Sequence, residues 1–527
     1  MKFKSFTRFL AALPALLPLA ASAQSVNWSE HVAPIVYQHC SSCHRPGEIA
    51  PFSLLSYQDA LDWANMIQYV TEIRYMPPWK ADAKFGAEYI GENYLTDAEI
   101  ATIKAWVDGG APQGDPALEP PAPTFPSGSQ VGTPDLVVSF AKTHQHEGTG
   151  YDEYRYFVLP TNLPQNRDLV ALEMRPGNTK VVHHALIWAD TSGTARALDA
   201  QTPEYGYRAE EVSGGNQLNF SDQLPGYVPG SKPLVYTKGM AQRLPKGSDL
   251  VVQVHYAPTT SDEPDSSSFN LFFADQPATR FVNSHIMLPP ALVNGPFLIP
   301  PNTVKEFKGV FKVPFDVSIL GIAPHCHMLG KNWKVFAVTP QNDTIPLVHI
   351  ENWDFNWQGA YAFKKLQKLP KNTEIHAFAT YDNTVNNPFN PNNPPKWVSW
   401  GESTFDEMYY LPILWLPYQN GDENLSLEDL STSAPDVFHF SKTRLYPVSP
   451  NPAQGRVKVG YTLQETTSVA LEVYDIHGAL VQRLAQEQRA LPGEHIREWD
   501  TSGLSSGVYL LTLRAGAQVQ TQKVVVP

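Results

Sequence analysis

Between residues 133 and about 440 the chain is cut into short alternating or apolar runs. Leu136–Phe140, Tyr154–Leu159, Leu250–Tyr256 and Phe269–Phe273 are examples, separated by Pro, Gly, Asn and Asp. Such runs suit strands, whose period of two puts every second side chain on one face of a sheet. The 47 prolines among 527 residues point the same way, because proline breaks helix interiors but is tolerated in loops and at strand edges. The pattern is that of antiparallel β-sandwiches or jelly rolls. The length suits two of them, residues 133–284 and 285–440, divided near Ser284. The whole chain is expected to be multidomain and mainly β, with a small α-helical domain before this region and a further β-sandwich after it.

Residues 1–23 read as a secretory signal. Lys2, Lys4 and Arg8 form the charged start, Phe9 to Ala20 the apolar stretch, and Ala21-Ser22-Ala23 the small-residue cleavage site. No other run is long and apolar enough to be read as a transmembrane segment, so an exported, soluble protein is expected. A net charge of -13 argues against nucleic acid or an anionic membrane surface as partner. There are three cysteines: Cys40 and Cys43 in one motif, and Cys326 alone. Stability must therefore come from cores, metals and cofactors rather than a disulfide framework.

Residues 24–115 carry Cys40-Ser-Ser-Cys43-His44. Cys-X-X-Cys-His is the attachment site of c-type haem, with two thioethers on the macrocycle and the histidine on the iron. A thioredoxin-like dithiol needs a βαβ setting and a zinc site needs another Cys pair; neither is seen. Ser56 to Arg74 has helical spacing, and Met76, stiffened by Pro77 and Pro78, is the candidate second axial ligand. Met66 lies inside the helical run and is expected to be a core methionine. Thr96 and Glu99 predict a capping box for a last helix that stops at Gly109-Gly110. The stretch resembles a class I-like cytochrome c domain, which implies one covalently bound haem c and an electron donor to it.

Residues 116–132 form a proline-rich linker, expected to be a stiff tether that keeps the helical domain near its partner without fusing their cores. Residues 441–527 open with Tyr446-Pro447 and Pro450-Asn451-Pro452, continue through a Gly507-Val508-Tyr509 strand and end near Lys523-Val-Val. They resemble the C-terminal sorting domain of the Bacteroidetes type IX secretion system. The resemblance implies an immunoglobulin-like sandwich, the secretion machinery as partner, and a protein secreted from, or attached to the outer surface of, a Gram-negative bacterium.

His325-Cys326-His327 lies between two strand-like runs, Val317–Ile322 and Trp333–Val338. Residues two apart on a strand face the same way, so the imidazoles point together and Cys326 points away. Val182-His183-His184-Ala185 sets two histidines side by side. They can share a metal only if the strand twists or ends there, or if one ring uses Nδ1 and the other Nε2. His255 sits in a core-like strand, and Met408 follows Asp406-Glu407. Taken singly, each of these has a bland reading as a solvated or packed residue.

The order His-His, His-Tyr, His-X-His, Asp-Glu-Met resembles the copper type II, ascorbate-dependent monooxygenases, the family of peptidylglycine α-hydroxylating and dopamine β-monooxygenases. By this resemblance His183, His184 and His255 hold the electron-transfer copper on the first jelly roll. His325, His327 and Met408 hold the oxygen-binding, catalytic copper on the second, across a cleft. The implied reaction inserts one oxygen atom from O2 into a C–H bond of a small-molecule substrate, with two electrons delivered singly by ascorbate, another one-electron reductant, or the attached haem. The peptide-amidating enzyme clamps its substrate's carboxylate through an arginine and a tyrosine where this chain has Ala323 and Pro412, so a C-terminal peptide glycine is not expected as substrate. Tyr381-Asp382-Asn383 and Trp353-Asp-Phe-Asn-Trp357 either line the second site or build turns and core, the structural role being favoured, and His144-Gln-His146 is read as a solvent-exposed loop. Two other functions stay open: a non-catalytic haem or copper electron carrier or copper-binding surface protein, and a structural adhesin.

Overall fold

The computed structural model describes residues 26–527 except 126–127, 214–222, 238, 428–442, 447, 449–450, 464–466, 491–492 and 517. The secretory signal, Pro447 and Pro450 lie outside the described residues. The chain is mainly β and divides into two compact units, Met1–Ser431 and Thr432–Pro527.

The first unit opens with helices α1 (Ala33–His39), α2 (Tyr57–Asp62), α3 (Ala64–Glu72) and α4 (Asp97–Asp108) around Trp28, Val36, Ile67, Ile103 and Trp106. The helical spacing from Ser56 to Arg74 resolves into two helices, because the backbone at Trp63 (φ -113°, ψ 9°) leaves helical geometry. Ser56 caps α2 by accepting the N–H of Asp59. The capping box of α4 is present: Thr96 accepts the N–H of Glu99, and the Glu99 carboxylate accepts the N–H of Thr96 at 2.7 Å.

The segment between α3 and α4 does not stay with the helices. Ala81, Ala87 and Tyr89 belong to the core of the second sandwich, where the Tyr89 hydroxyl donates to the Leu347 carbonyl at 2.7 Å. Backbone bridges join Ala81 to Ile350 and Tyr89 to Phe363. A helical domain tethered without a shared core is therefore not what forms. The apolar side chains of this loop are buried against a sheet, and burying an aromatic there stabilises the junction by about 1.5–3 kcal/mol. The proline-rich segment also packs: Glu119 accepts the Tyr37 hydroxyl at 2.6 Å, and Arg45 lies over the Phe125 ring.

The first sandwich uses β1 (Leu136–Ser139), β2 (His144–His146), β3 (Glu153–Pro160), β4 (Arg167–Arg175), β5 (Val182–Asp190), β6 (Gln223–Tyr227), β7 (Met240–Leu244), β8 (Asp249–Tyr256), β9 (Glu263–Asp265), β10 (Ser268–Phe273) and β11 (Arg280–Phe281). One sheet runs β1-β10-β4-β7-β11 and the other β3-β8-β5-β6. Leu172 and Leu271 from the first meet Ile187 and Val252 from the second in one core. β8 is buried along its whole length, as its apolar run requires.

The second sandwich uses β12 (Asn283–Met287), β13 (Leu298–Ile299), β14 (Thr303–Lys312), β15 (Val317–Ile322), β16 (Gly330–Val338), β17 (Thr344–Ile350), β18 (Tyr361–Leu369), β19 (Glu374–Asn383), β20 (Val398–Ser399) and β21 (Leu411–Pro417). Sheets β12-β21-β15-β18 and β14-β19-β16-β17 enclose Phe307, Trp333, Phe363 and Ile413.

The second unit is a separate pair of sheets. They are formed by β22 (Arg444–Leu445), β23 (Arg456–Leu463), β24 (Thr467–Asp475), β25 (Leu480–Ala490), β26 (Gly493–Asp500), β27 (Gly507–Ala515) and β28 (Gln518–Val526), in orders β22-β23-β26 and β25-β24-β27-β28. Val459, Val473, Trp499 and Leu511 fill the space between them.

Candidate metal centres

His183 and His184 stand together because β5 is irregular there. The pairing with β8 sets Val182 against Tyr256 and His184 against His255, so His183 is an extra residue in the ladder. Such a bulge re-aims side chains that would otherwise alternate. The Nδ1 atoms of the three rings converge: His183 to His255 at 3.0 Å, His184 to His255 at 3.2 Å, and His184 to His183 at 3.3 Å. Imidazole nitrogens sharing a tetrahedral metal at ~2.0 Å stand about 3.3 Å apart. All three rings use Nδ1, so the mixed arrangement weighed from the sequence is not the one formed.

The Nε2 of His255 faces the Asp152 carboxylate at 2.5 Å and Tyr154 stacks on the ring at 4.3 Å. A proton on Nε2 leaves a lone pair on Nδ1. Burial pulls the pKa of His183 down to about 3 and holds those of His184 and His255 below the usual value, so the donors are neutral near pH 7.

His325 and His327 follow β15 in extended backbone, with ring centroids 5.2 Å apart. Cys326 points away and receives the Trp333 indole N–H at 3.2 Å. The Nδ1 of His325 bonds the Gln358 side-chain oxygen, and that of His327 faces the Asp406 carbonyl at 3.2 Å, which leaves both Nε2 atoms as donors. Burial pulls these pKa values down to about 4 and about 3.

Met408 comes from the segment that runs antiparallel to the histidines. Ala323 pairs with Pro412 and His325 with Tyr410, and beyond them one oxygen of Glu407 accepts the backbone N–H of both His327 and Met408. The Tyr381 hydroxyl donates to the Met408 carbonyl at 2.8 Å. Between them lies Glu407, fully buried, whose carboxylate accepts the backbone N–H groups of His327, Leu329 and Met408. Burial pushes its pKa up to about 8 against the pull of those donors.

Residues read from the sequence as turns and core therefore line the site. The Phe355 ring lies 5.6, 5.8 and 5.9 Å from those of His183, His255 and His327, and the Trp353 indole donates to the His327 carbonyl. Asp152 and Gln358 carry no distinguishing sequence signal, whereas Glu407 stands inside the Asp-Glu-Met pattern. The aromatic run around Phe355 did carry one, but it was assigned to packing.

In the helical segment, Cys40 closes α1, and the N–H groups of Cys43 and His44 both bond its carbonyl. This single turn brings the three residues together along the backbone. The Nδ1 of His44 faces the Phe52 carbonyl at 3.3 Å, leaving Nε2 as a donor. His44 packs on Phe52 at 4.5 Å, and Phe52 stacks on Trp63 at 4.2 Å. From there an apolar stripe runs along α3: Trp63, Met66, Tyr69 and Ile73 are 41%, 50%, 58% and 54% exposed. Met66 is thus half exposed rather than a core residue, because Ala64, Ile67 and Thr71 occupy the inner face. Met76 lies just beyond the stripe, next to Tyr75, which meets Trp357 edge-on at 6.1 Å.

His144 and His146 are buried, not exposed. β2 pairs with β9, and both rings bond one oxygen of Glu153, at 3.1 and 2.9 Å. Arg155 donates to the other oxygen at 2.7 Å.

Residues 447–527 match the family described as Secretion system C-terminal sorting domain. The chain thus carries a type IX sorting tail, which marks it for export by a Bacteroidetes-like bacterium, either released or held at the surface. Among the described residues, no helix is long and apolar enough to cross a membrane. No curated protein matches the chain. Among solved structures it is similar to a β-glucuronidase of Faecalibacterium prausnitzii at 13% identity, over 43% of this chain and 38% of that one, with a TM-score of 0.13. It is also similar to a β-glucuronidase of Dictyoglomus thermophilum at 11% identity, over 48% and 45%, with a TM-score of 0.16. A third is the infectious bursal disease virus VP2 subviral particle, at 10% identity over 57% and 75%, with a TM-score of 0.15. The chain spans less than half the length of the two glucuronidases.

Proposed function

We propose that this is an exported copper-dependent monooxygenase, which hydroxylates a C–H bond of a small organic molecule with O2 and receives its electrons singly through an attached c-type haem. The observation that carries the reading is the triangle of Nδ1 atoms of His183, His184 and His255, spaced at 3.0–3.3 Å. In this reading the two sandwiches are the jelly rolls of the copper family, the helical segment is a cytochrome c and the tail is an immunoglobulin-like module.

The residues fit copper. Five neutral imidazoles and one thioether are the donor types that suit it, and the thioether of Met408 favours the reduced ion. Copper supplies one-electron chemistry and binds oxygen when present. The chain's own residues do the rest. Asp152, Gln358 and the Asp406 carbonyl fix which nitrogen is free on His255, His325 and His327, Glu407 and Tyr381 hold the Met408 segment beside His327, and Phe355 packs against rings of both sets. At positions 323 and 412, Ala and Pro face one another through a backbone bond at 3.0 Å, with no side chain able to clamp a carboxylate. This favours an uncharged or apolar substrate.

The residues also fit a haem. His44 keeps Nε2 free on the same backbone turn as Cys40 and Cys43, and the stripe from Trp63 to Ile73 is a bare apolar face of the kind a macrocycle covers. A shallow cleft opens at Cys43, walled by Glu48 and by Arg175, Tyr227, Gly230 and Lys232 of the first sandwich. Tyr227 pairs with Ala185, the neighbour of His184. This short path supports the haem as the donor to the copper at His183, His184 and His255.

Oxygen uptake by the copper-loaded, haem-bearing protein tests the reading, with ascorbate and a panel of small aromatic, amine and lipid-like compounds. Reductant-dependent hydroxylation that is lost in Met408→Ala supports it. Copper and haem bound without any oxygen consumption sinks it in favour of a non-catalytic electron carrier.

A further inference from the structure

The two histidine sets are not separated by an open cleft. The ring centroids of His184 and His325 lie 5.7 Å apart. Within the first set the rings are 4.7–5.3 Å apart, and His325 and His327 are 5.2 Å apart. The spacing between sets is thus within about an ångström of the spacing inside each.

Several contacts hold the sets at this distance. The loop leading to Met408 is hydrogen-bonded to the sheet that carries His255. The Tyr154 hydroxyl meets Thr404 Oγ1 at 2.9 Å, and the Tyr156 hydroxyl and the Gln253 amide donate to the Glu402 carboxylate at 2.8 and 3.0 Å. The Tyr410 hydroxyl donates to Gln223 of β6 at 2.9 Å. Opening a cleft would expose these groups and the Phe355 ring, which touches both sets.

We infer that His183, His184, His255, His325, His327 and Met408 form one dinuclear centre with His184 and His325 as its shared wall, rather than two mononuclear sites divided by solvent. This rests on the copper reading above. The wall makes the two metals neighbours, so their unpaired spins interact in the oxidised form.

The full-length protein, loaded with two equivalents of Cu(II), is examined by electron paramagnetic resonance alongside its copper content. Two coppers per chain, with a half-field transition and a copper spin count short of two per chain, are expected. In His325→Ala the half-field transition is lost and one full copper spin per chain remains. Two bound coppers whose spectrum is the sum of two isolated signals overturn the dinuclear centre and leave copper binding intact. A wild-type chain that binds no copper overturns it together with the function proposed above.

Discussion

The carboxylate of Glu407 accepts the backbone N–H of His327 at 2.8 Å, tying the segment that carries Met408 to the loop that carries the paired histidines. A glutamine here presents an N–H₂ where an oxygen accepted, so at least one of the three backbone N–H groups loses its acceptor. We expect Glu407→Gln to destabilise the fold by about 1–3 kcal/mol. It should also lower copper content from two per chain to one. Thermal unfolding and metal analysis check both. Unchanged copper content in a folded variant would show that Glu407 does not hold this site.

Asp152 fixes the tautomer of His255 from outside the triangle. Asp152→Ala should weaken copper binding at the first set about 10–100-fold, the usual cost of losing such a partner. Copper titration against a competing chelator reads this directly, and Asp152→Asn, which keeps an oxygen acceptor, should recover part of it.

The network around Glu153 gives stability a defined pH window. Burial opposes the charge on His146, but Glu153 and the Ala257 carbonyl hold its pKa above the usual 6.5. Its contribution is therefore complete below pH 6.5 and is lost as pH rises through the folded value. Burial likewise opposes the charge on Glu153, but His144, His146 and Arg155 outweigh it and hold its pKa below 4.5. That contribution is complete above pH 4.5 and is lost as pH falls. Between pH 6 and pH 8 His146 should pull the melting temperature down, against the five histidines of the candidate centres, whose lowered pKa values favour the higher pH. In His146→Gln the slope of melting temperature against pH should therefore become more positive than in the wild type; an identical slope would rule out a contribution from His146.

Tyr89 belongs by sequence to the helical segment and by packing to the second sandwich. Emptying its site in Tyr89→Ala should cost about 3–5 kcal/mol, the range for truncating a buried aromatic. Because the cores are joined, haem absorbance and tryptophan fluorescence should report one unfolding transition in the wild type. Two separate midpoints would show that the segments unfold independently.

The sequence was most legible where a residue pattern has one physical solution. Leu250–Tyr256 forms the buried strand its apolar run requires, and Thr96 with Glu99 forms the capping box. Other features were hidden. His183 and His184 point together only because of a bulge, and no local pattern announces that extra residue. Asp152 and Gln358 are ordinary loop residues until the fold places them behind a ring. His144 and His146 looked like surface residues because their partner, Glu153, is supplied by the next strand. Trp79 to Tyr89 looked local to the helices, and only tertiary burial reveals its allegiance to a sheet more than 250 residues away.

The uncovered ridge of Trp63, Met66, Tyr69 and Ile73 would set an order on the protein's maturation. A chain travelling with that ridge bare offers other chains an adhesive strip beside two free thiols. On the haem reading proposed above, attachment would belong before release from the cell, and molecules that miss this step should be recovered as aggregates.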